Sequence, residues 1–269
     1  METKDVYSNK AEKYARYRWD YAPQAVDSIL RIVQITPQST VADIGAGTGM
    51  LTRHFAGRAG RVWAVEPNAA MRRLAEQTLA GCGGCEVLDG SAEATGLPDR
   101  SVDLITVAQA IHWFNPEPAR REFRRILKPG GWLAVLRNIS SSDALNRATA
   151  ELYRAEYGFE AHQSAQKREW KPLIFYFGNG RFQRIRFAFH FEQDWERFFG
   201  SLLSTAGMPD ETHPHFKNLE RAAREVFDRF SQDGRMEVHG ETELYIGQVS
   251  ITTSKLSGPA QGRRLQPGG

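Results

Sequence analysis

The chain has 269 residues, 41% of them hydrophobic and 25% charged, with a formal net charge of +3. That composition is ordinary for a globular protein able to bury a real core, in one large or two small domains, and gives no reason to expect disorder. The longest apolar runs, such as Leu104–Ala108, are far too short to span a bilayer, and the mild charge names no polyanionic partner.

The opening Met1–Asp5 lacks the basic-then-apolar order of a signal segment, so the cytoplasm is the expected compartment. Residues 7–30 hold Tyr7, Tyr14, Tyr17, Arg18, Trp19 and Tyr21, then Pro23 and the helical pattern Ala25, Ile29, Leu30, Ile32, Val33. So aromatic a segment ahead of the first strand can form a lid, or an amphipathic helix packed on the sheet edge; both readings stay open.

Val41–Thr52 is an apolar run ending in Asp43, then Gly45, Gly47 and Gly49 alternating with small residues, then a helix-compatible stretch, Met50–Ala56. It reads as strand, tight turn and helix, with glycines where a ligand approaches the backbone or φ is positive. A dinucleotide fingerprint counted from Gly45 would need a glycine at position 50, where Met50 stands. Arg61–Glu66 is a second strand ending in an acid. Glu66 stands 17 residues past Gly49, where a strand-end carboxylate can accept ribose hydroxyls or, alternatively, cap the next helix. Pro67 and Asn68 open that helix, which runs through Met71, Leu74 and Leu79 as a crossover to the third strand, Cys85–Leu88. Between them Cys82 and Cys85 make a lone Cys-Gly-Gly-Cys without further zinc ligands, and we read it as structural.

Val102–Val107 is the fourth strand, and Ala108-Gln109-Ala110-Ile111-His112-Trp113-Phe114 leaves its carboxyl end, where open α/β sheets place their crevice. Asn115–Pro118 starts a helix through Phe123, Ile126 and Leu127; Lys128-Pro129-Gly130-Gly131 ends it, and Trp132–Leu136 is the fifth strand. Ala144–Tyr157 is helical, and residues 158–180, with Trp170, Phe175, Tyr176 and Phe177, read as an insert facing the substrate. Phe182–Phe191 makes a sixth strand, Trp195–Ala206 and Phe216–Phe230 two helices, and Glu237–Val249 a last strand; a flexible tail follows Ser254.

Asp43 two residues before a G-x-G-x-G turn, Glu66, the 102–114 strand and loop, and Leu-Lys-Pro-Gly-Gly before an apolar strand stand in a familiar order and spacing. In these the chain resembles class I S-adenosylmethionine-dependent methyltransferases. The His112 loop and the Tyr-rich amino terminus are similar to the small-molecule branch of ubiquinone/menaquinone biosynthesis and trans-aconitate type. The resemblance implies a Rossmann-like three-layer α/β/α sandwich with a mostly parallel seven-stranded sheet and an antiparallel last strand. Residues 36–254 would be a single domain with a substrate-facing insert at about 143–180, between a 1–35 lid segment and a 255–269 tail.

The same resemblance implies S-adenosylmethionine as cofactor and S-adenosylhomocysteine as product. Gly45, Ala46, Gly47 and Gly49 would form the cofactor turn, with Glu66 and Pro67 at the ribose. Asp43 would orient the methionine amino group, directly or through water, with Gln109 nearby. Arg18 would clamp the methionine carboxylate or, alternatively, form a surface salt bridge. The chain departs from the family at the adenine, where an Asp usually accepts from the amino group. Ser91 stands there, leaving the Ser91 hydroxyl or Asp89 as acceptor, with the Ser91 and Ala92 amides against the ring.

Methyl transfer from a sulfonium is an in-line displacement that needs neither a metal nor a covalent enzyme intermediate. Alignment does most of the work, with a base only where the nucleophile loses a proton. His112 is the candidate base, or else a positioning residue; Tyr14, Tyr17 and Trp113 are candidates to line the substrate. The expected partner is a small-molecule acceptor, without nucleic acid or membrane, for a monomer or homodimer. Three rivals stand beside this reading. A nicotinamide-dependent dehydrogenase is opposed by Met50. A nucleic-acid or protein methyltransferase shares the fold, but the Asn/Asp-Pro-Pro-aromatic motif of nucleic-acid amino-group methylases is replaced here by Ala108–Ile111. The third is a non-catalytic cofactor-binding module.

Overall fold

In the computed structural model, residues 10–157, 172–178, 182–205 and 208–249 are described; Tyr7, Trp170 and the 255–269 tail lie outside them. Seven strands form one sheet: β1 (Thr40–Ile44), β2 (Arg61–Val65), β3 (Cys85–Leu88), β4 (Val102–Ala108), β5 (Leu127–Ser140), β6 (Phe182–Gln193) and β7 (Met236–Gln248). Their order is β3-β2-β1-β4-β5-β7-β6. The first five pair in parallel, and β7 runs antiparallel between β5 and β6. This is the doubly wound arrangement expected, and strand order reverses between β1 and β4, where such sheets open a crevice.

The helices are α1 (Ala11–Tyr17), α2 (Pro23–Val33), α3 (Ala69–Thr78), α4 (Pro116–Ile126), α5 (Asp143–Tyr157), α6 (Leu173–Phe177), α7 (Trp195–Leu203) and α8 (Phe216–Phe230). On one sheet face, Ala25, Val26 and Ile29 of α2 pack with Val41, Leu104, Leu136 and Leu244. On the other, Phe123 and Ile126 of α4 pack with Ile44, Ile105, Leu133 and Val135. A separate apolar cluster joins Leu145 and Leu152 of α5, Phe198 and Leu202 of α7, and Leu219 and Phe227 of α8. None of the described helices is long and apolar enough to cross a membrane.

Several local expectations need correction. The stretch after Gly49 is no α-helix but one 3-10 turn, Thr52–Phe55, because Gly49 and Gly57 take φ of 78° and 69° on either side. The Lys-Pro-Gly-Gly segment belongs to β5, whose pairing with β4 starts at Val102↔Leu127 and slips register before Leu104↔Trp132. Of residues 158–180 the described part, α6, turns inward: Tyr176 and Phe177 are buried in the core on the α4 side, Tyr176 lying 6.1 Å from the Phe123 ring. Apolar side chains that large gain more from burial than from lining an open surface.

The amino-terminal segment divides into two parts, and its second helix lies on a face of the sheet and not at the edge expected for it. α2 packs on the sheet face, while α1 packs on α7 and touches α3 across the carboxyl ends of the strands. The α1–α7 contact is close, since a Cβ at Gly200 would lie 2.4–2.6 Å from ring atoms of Tyr17. Lys10, almost fully buried, donates to the Leu203 and Met208 carbonyl oxygens at 3.0 and 2.5 Å and so caps the end of α7. Burial pushes its ammonium down to about 8.

Asp43 ties the turn to the sheet. Its carboxylate, 1% exposed, accepts from the Thr52 hydroxyl at 2.7 Å and the Thr106 hydroxyl at 2.8 Å. Burial nevertheless pushes it up to about 6. The charged form is thus less welcome in the fold than in water. The stability this group lends is complete below its ordinary value of 3.8 and is lost as pH rises through about 6.

Two predictions follow from these contacts. Asp43→Asn, which cannot ionise, should gain on the order of 2 kcal/mol relative to wild type as pH rises through that window. A flat difference in urea unfolding would show the carboxylate to be well solvated. Gly200→Ala should cost about 1–3 kcal/mol by overpacking, outweighing alanine's better helix propensity. The penalty should vanish in combination with Tyr17→Ala.

Candidate functional site

The crevice is bounded by the glycine turn, the loop after β4 and the α1–α2 segment. Gly45, Gly47 and Gly49 all have positive φ, of 70°, 58° and 78°. Their surroundings differ. A Cβ at Gly45 would lie 2.7 Å from Cβ of Ala110, so this glycine lets the β4 loop close on the turn, whereas a Cβ at Gly47 would meet nothing within 4 Å. Gly47 is the place where the backbone stays open to a ligand. Ala46 is buried against Ala64 and Leu79 beneath the turn.

Glu66, 8% exposed, accepts from the Gly47 N–H through Oε2 and from the Asn68 N–H through Oε1, both at 2.9 Å. Burial raises its carboxyl above the ordinary value. Each oxygen keeps a further lone pair, so the same carboxylate can brace the turn and still accept two hydroxyls. Pro67 follows it, its carbonyl accepting from Arg72 Nη1 at 2.7 Å.

Ser91 and Asp89, the two residues expected at the adenine, each have local partners. The Ser91 N–H donates to the Ala94 carbonyl at 3.0 Å, and the Ser91 hydroxyl oxygen accepts from the Glu93 N–H at 3.3 Å. Asp89 is held by Arg72, with contacts of 2.9 and 3.0 Å, and Ala92 is buried. Asp43 likewise faces inward, toward Thr52 and Thr106.

A cavity of about 490 Å³ adjoins the turn through Met50 and the β4 loop through Gln109 and His112. Gln109 has φ of 53°, rare for a residue with a side chain, and is fixed there by its N–H on the Leu136 carbonyl and its amide on the Asn138 carbonyl. His112, exposed on the 3-10 turn Ile111–Trp113, looks into the cavity. Tyr14 and Arg18 line the opposite wall. The Arg18 guanidinium lies 5.1 Å from the Tyr14 ring centroid and donates to Thr205 Oγ1 at 3.2 Å; its Nε has no hydrogen-bond partner among the described residues. Burial pushes the Tyr14 phenol up, with Arg18 opposing and Glu66 reinforcing the shift, which places all three groups in one electrostatic neighbourhood.

Two expected lining residues stand elsewhere. Tyr17 packs on Gly200 and donates to Glu196 at 2.9 Å on the outer side of α1, and Trp113 packs against the α4-side core. In their place the cavity takes Trp19, Tyr21, Asn138, Gln193 and residues of α5 and α7. Asn138 also fastens the cover. Its amide donates to the Asp20 carbonyl at 3.0 Å, its carbonyl accepts from Thr242 at 2.6 Å, and Thr242 in turn accepts from the Ala22 N–H at 2.9 Å. Burial acts to raise the Asp20 carboxyl, but hydrogen bonds from His54 and Arg53 hold it below its ordinary value, locking the cover to the 3-10 turn.

Residues 42–135 match the family described as a methyltransferase domain. An uncharacterized methyltransferase of Mycobacterium tuberculosis is 40% identical over 129 residues, covering 46% of this chain and 49% of its own length. The ubiquinone/menaquinone biosynthesis C-methyltransferase of Hydrogenovibrio crunogenus is 37% identical over 109 residues, 38% of this chain and 43% of its own. The chain thus spans about half the length of the curated relatives it matches. The YcgJ protein from Bacillus subtilis superposes with a TM-score of 0.52 over 84% of this chain and 98% of its own, at 19% identity, a likeness of fold. Residues 42–135, the turn, the Glu66 strand and the β4 loop with them, thus match the methyltransferase-domain family, and the sheet they help to form is Rossmann-like.

Proposed function

We propose that this protein is an S-adenosylmethionine-dependent methyltransferase acting on a small-molecule acceptor. The observation that carries the reading is the cavity of about 490 Å³ that meets the glycine turn at Met50 and the β4 loop at Gln109 and His112 and is roofed by α1, α5 and α7. A volume of that size behind a cover suits a metabolite and leaves little room for a polymer strand.

The residues present fit the cofactor. Gly47 leaves the backbone open where a Cβ would intrude, Glu66 keeps acceptor capacity for ribose hydroxyls, and Arg18 offers a guanidinium that no described carboxylate neutralises. Gly45, Ala46 and Gly49 shape the turn, and the Gln109 backbone borders it. Asp43 serves from below as a charge and an anchor. The Ser91 hydroxyl and Asp89 each have a local partner and keep further hydrogen-bonding capacity, so both stay available for the adenine. When bound, the cofactor supplies an electrophilic methyl group on sulfur. The chain's own task is to hold the acceptor in line, which is worth on the order of 7–11 kcal/mol, and to exclude water. His112 takes the proton of an acceptor that must lose one, adding about 10²–10⁴-fold.

S-Adenosylhomocysteine should raise the melting temperature and NAD should not; the reverse outcome would return the fold to dehydrogenase chemistry. Arg18→Gln should weaken S-adenosylhomocysteine at least about tenfold while leaving methylthioadenosine, which lacks the carboxylate, unchanged. Equal losses for both ligands would show that Arg18 acts on the fold of the site alone. His112→Gln should lower kcat by about 100-fold without changing cofactor affinity; an unaltered kcat assigns His112 to positioning.

A further inference from the structure

Trp19 Nε1 and Gln193 Oε1 are buried without a hydrogen-bond partner among the described residues, and both side chains belong to the cavity wall. Buried polar atoms are normally paired; Arg18 Nε, the third orphan on this wall, belongs to the guanidinium given above to the cofactor carboxylate, which leaves these two, of opposite sense, to be explained. Each is held by rigid surroundings. The Trp19 ring sits edge-on to Phe189 and Phe191, at 6.0 and 5.3 Å between centroids, and the Trp19 carbonyl accepts from Asn138 at 3.4 Å. Gln193, 3% exposed, is the last residue of β6, immediately before Asp194, whose side chain caps α7. Its Nε2 lies 3.5 Å from the Met236 sulfur, and because a thioether can only accept, the amide orientation is fixed and the carbonyl is the atom left over.

The wall thus presents one N–H to give and one C=O to receive. A hydroxyl or an amide carries both the acceptor and the donor that these two atoms require. A carboxylate would satisfy the indole and leave the carbonyl unpaired; an ammonium would do the converse. An ammonium also lacks a counter-ion, since no Asp or Glu lines the cavity among the described residues and the Arg18 guanidinium is taken up by the cofactor's carboxylate in the reading above. Leu145, Ala150, Phe198 and Leu202 give the rest of the wall an apolar stretch, set among the polar side chains of Asn146 and Ser201. We infer that the acceptor is an uncharged molecule with an apolar body and a hydroxyl or amide group read by Trp19 and Gln193, the latter setting specificity. This rests on the methyltransferase reading above and goes further by naming the acceptor's chemistry.

The test is ligand-observed NMR on protein saturated with S-adenosylhomocysteine, using phenethyl alcohol, ethylbenzene, phenethylamine and phenylacetate as probes. Phenethyl alcohol should bind about tenfold or more tightly than each of the other three. Gln193→Leu should erase its advantage over ethylbenzene, and Trp19→Phe, which keeps the ring packing, should reduce it even where the first variant folds poorly. Equal binding of alcohol and ethylbenzene, a preference for the amine or the acid, no alcohol binding, or an advantage that survives both variants would each overturn the inference. Titration of S-adenosylhomocysteine on the same sample separates the two readings. Failure to bind it removes the methyltransferase proposal, whereas binding without the alcohol preference removes only this one.

Discussion

The crevice depends on a carboxylate that water does not reach. Asp43 sits under the turn with one hydroxyl from the segment after it and one from β4, so the two elements that border the cleft are referenced to a single side chain. Glu66 braces the same turn from beside it, and Asp43 and Glu66 repel one another. Both are raised by burial, which means that the fold bears the cost of holding negative charge at this point. A crevice with two such carboxylates is the electrostatic complement of the sulfonium and ammonium groups of the proposed cofactor. The turn is therefore more than a flexible glycine loop: it is a backbone arc held open from below and from the side by acids.

Around that arc the amino-terminal segment is fixed by polar contacts at each end and in the middle. Lys10 caps α7, Asp20 takes Arg53 and His54, and Asn138 and Thr242 hold the backbone of residues 20–22 against β5 and β7. The cover is thus built from groups far apart in sequence. The cavity beneath it is walled in part by α5 and α7, which share with α8 an apolar cluster separate from the cores on the two sheet faces.

What was legible in the sequence follows from what is local. Alternation and apolar runs placed the strands, since β1, β2 and β4 are buried on both faces and read as near-continuous hydrophobic stretches. The three glycines declared a turn because only glycine adopts those dihedrals at no cost. The 3-10 turn was misread as a helix because its residues suit either, and Gly57 decides the matter by a backbone angle. Side-chain direction was less legible. Tyr14 and Tyr17 look alike in sequence, yet one lines the cavity and the other lies flat on Gly200, a choice made by a residue more than 180 positions away. Asn138 and Gln193 carried no motif. Their roles come from strand ends meeting at the crevice, and only the register of β5, β7 and β6 brings them there.

The place of β7 has a consequence for how the molecule is made. β6 pairs with β7 and with no other described strand, and β7 alone connects it to β5. A chain leaving the ribosome therefore completes the parallel half of the sheet first. It then carries β6, with Phe187, Phe189 and Phe191 along one side, as an unpaired strand until residues 236–248 have emerged and slotted in between. During that interval the Trp19 ring has no Phe189–Phe191 edge to settle on in its final setting. The cavity is in this sense a late product of synthesis, and the exposed aromatic strand is open to capture by chaperones or by a neighbouring copy.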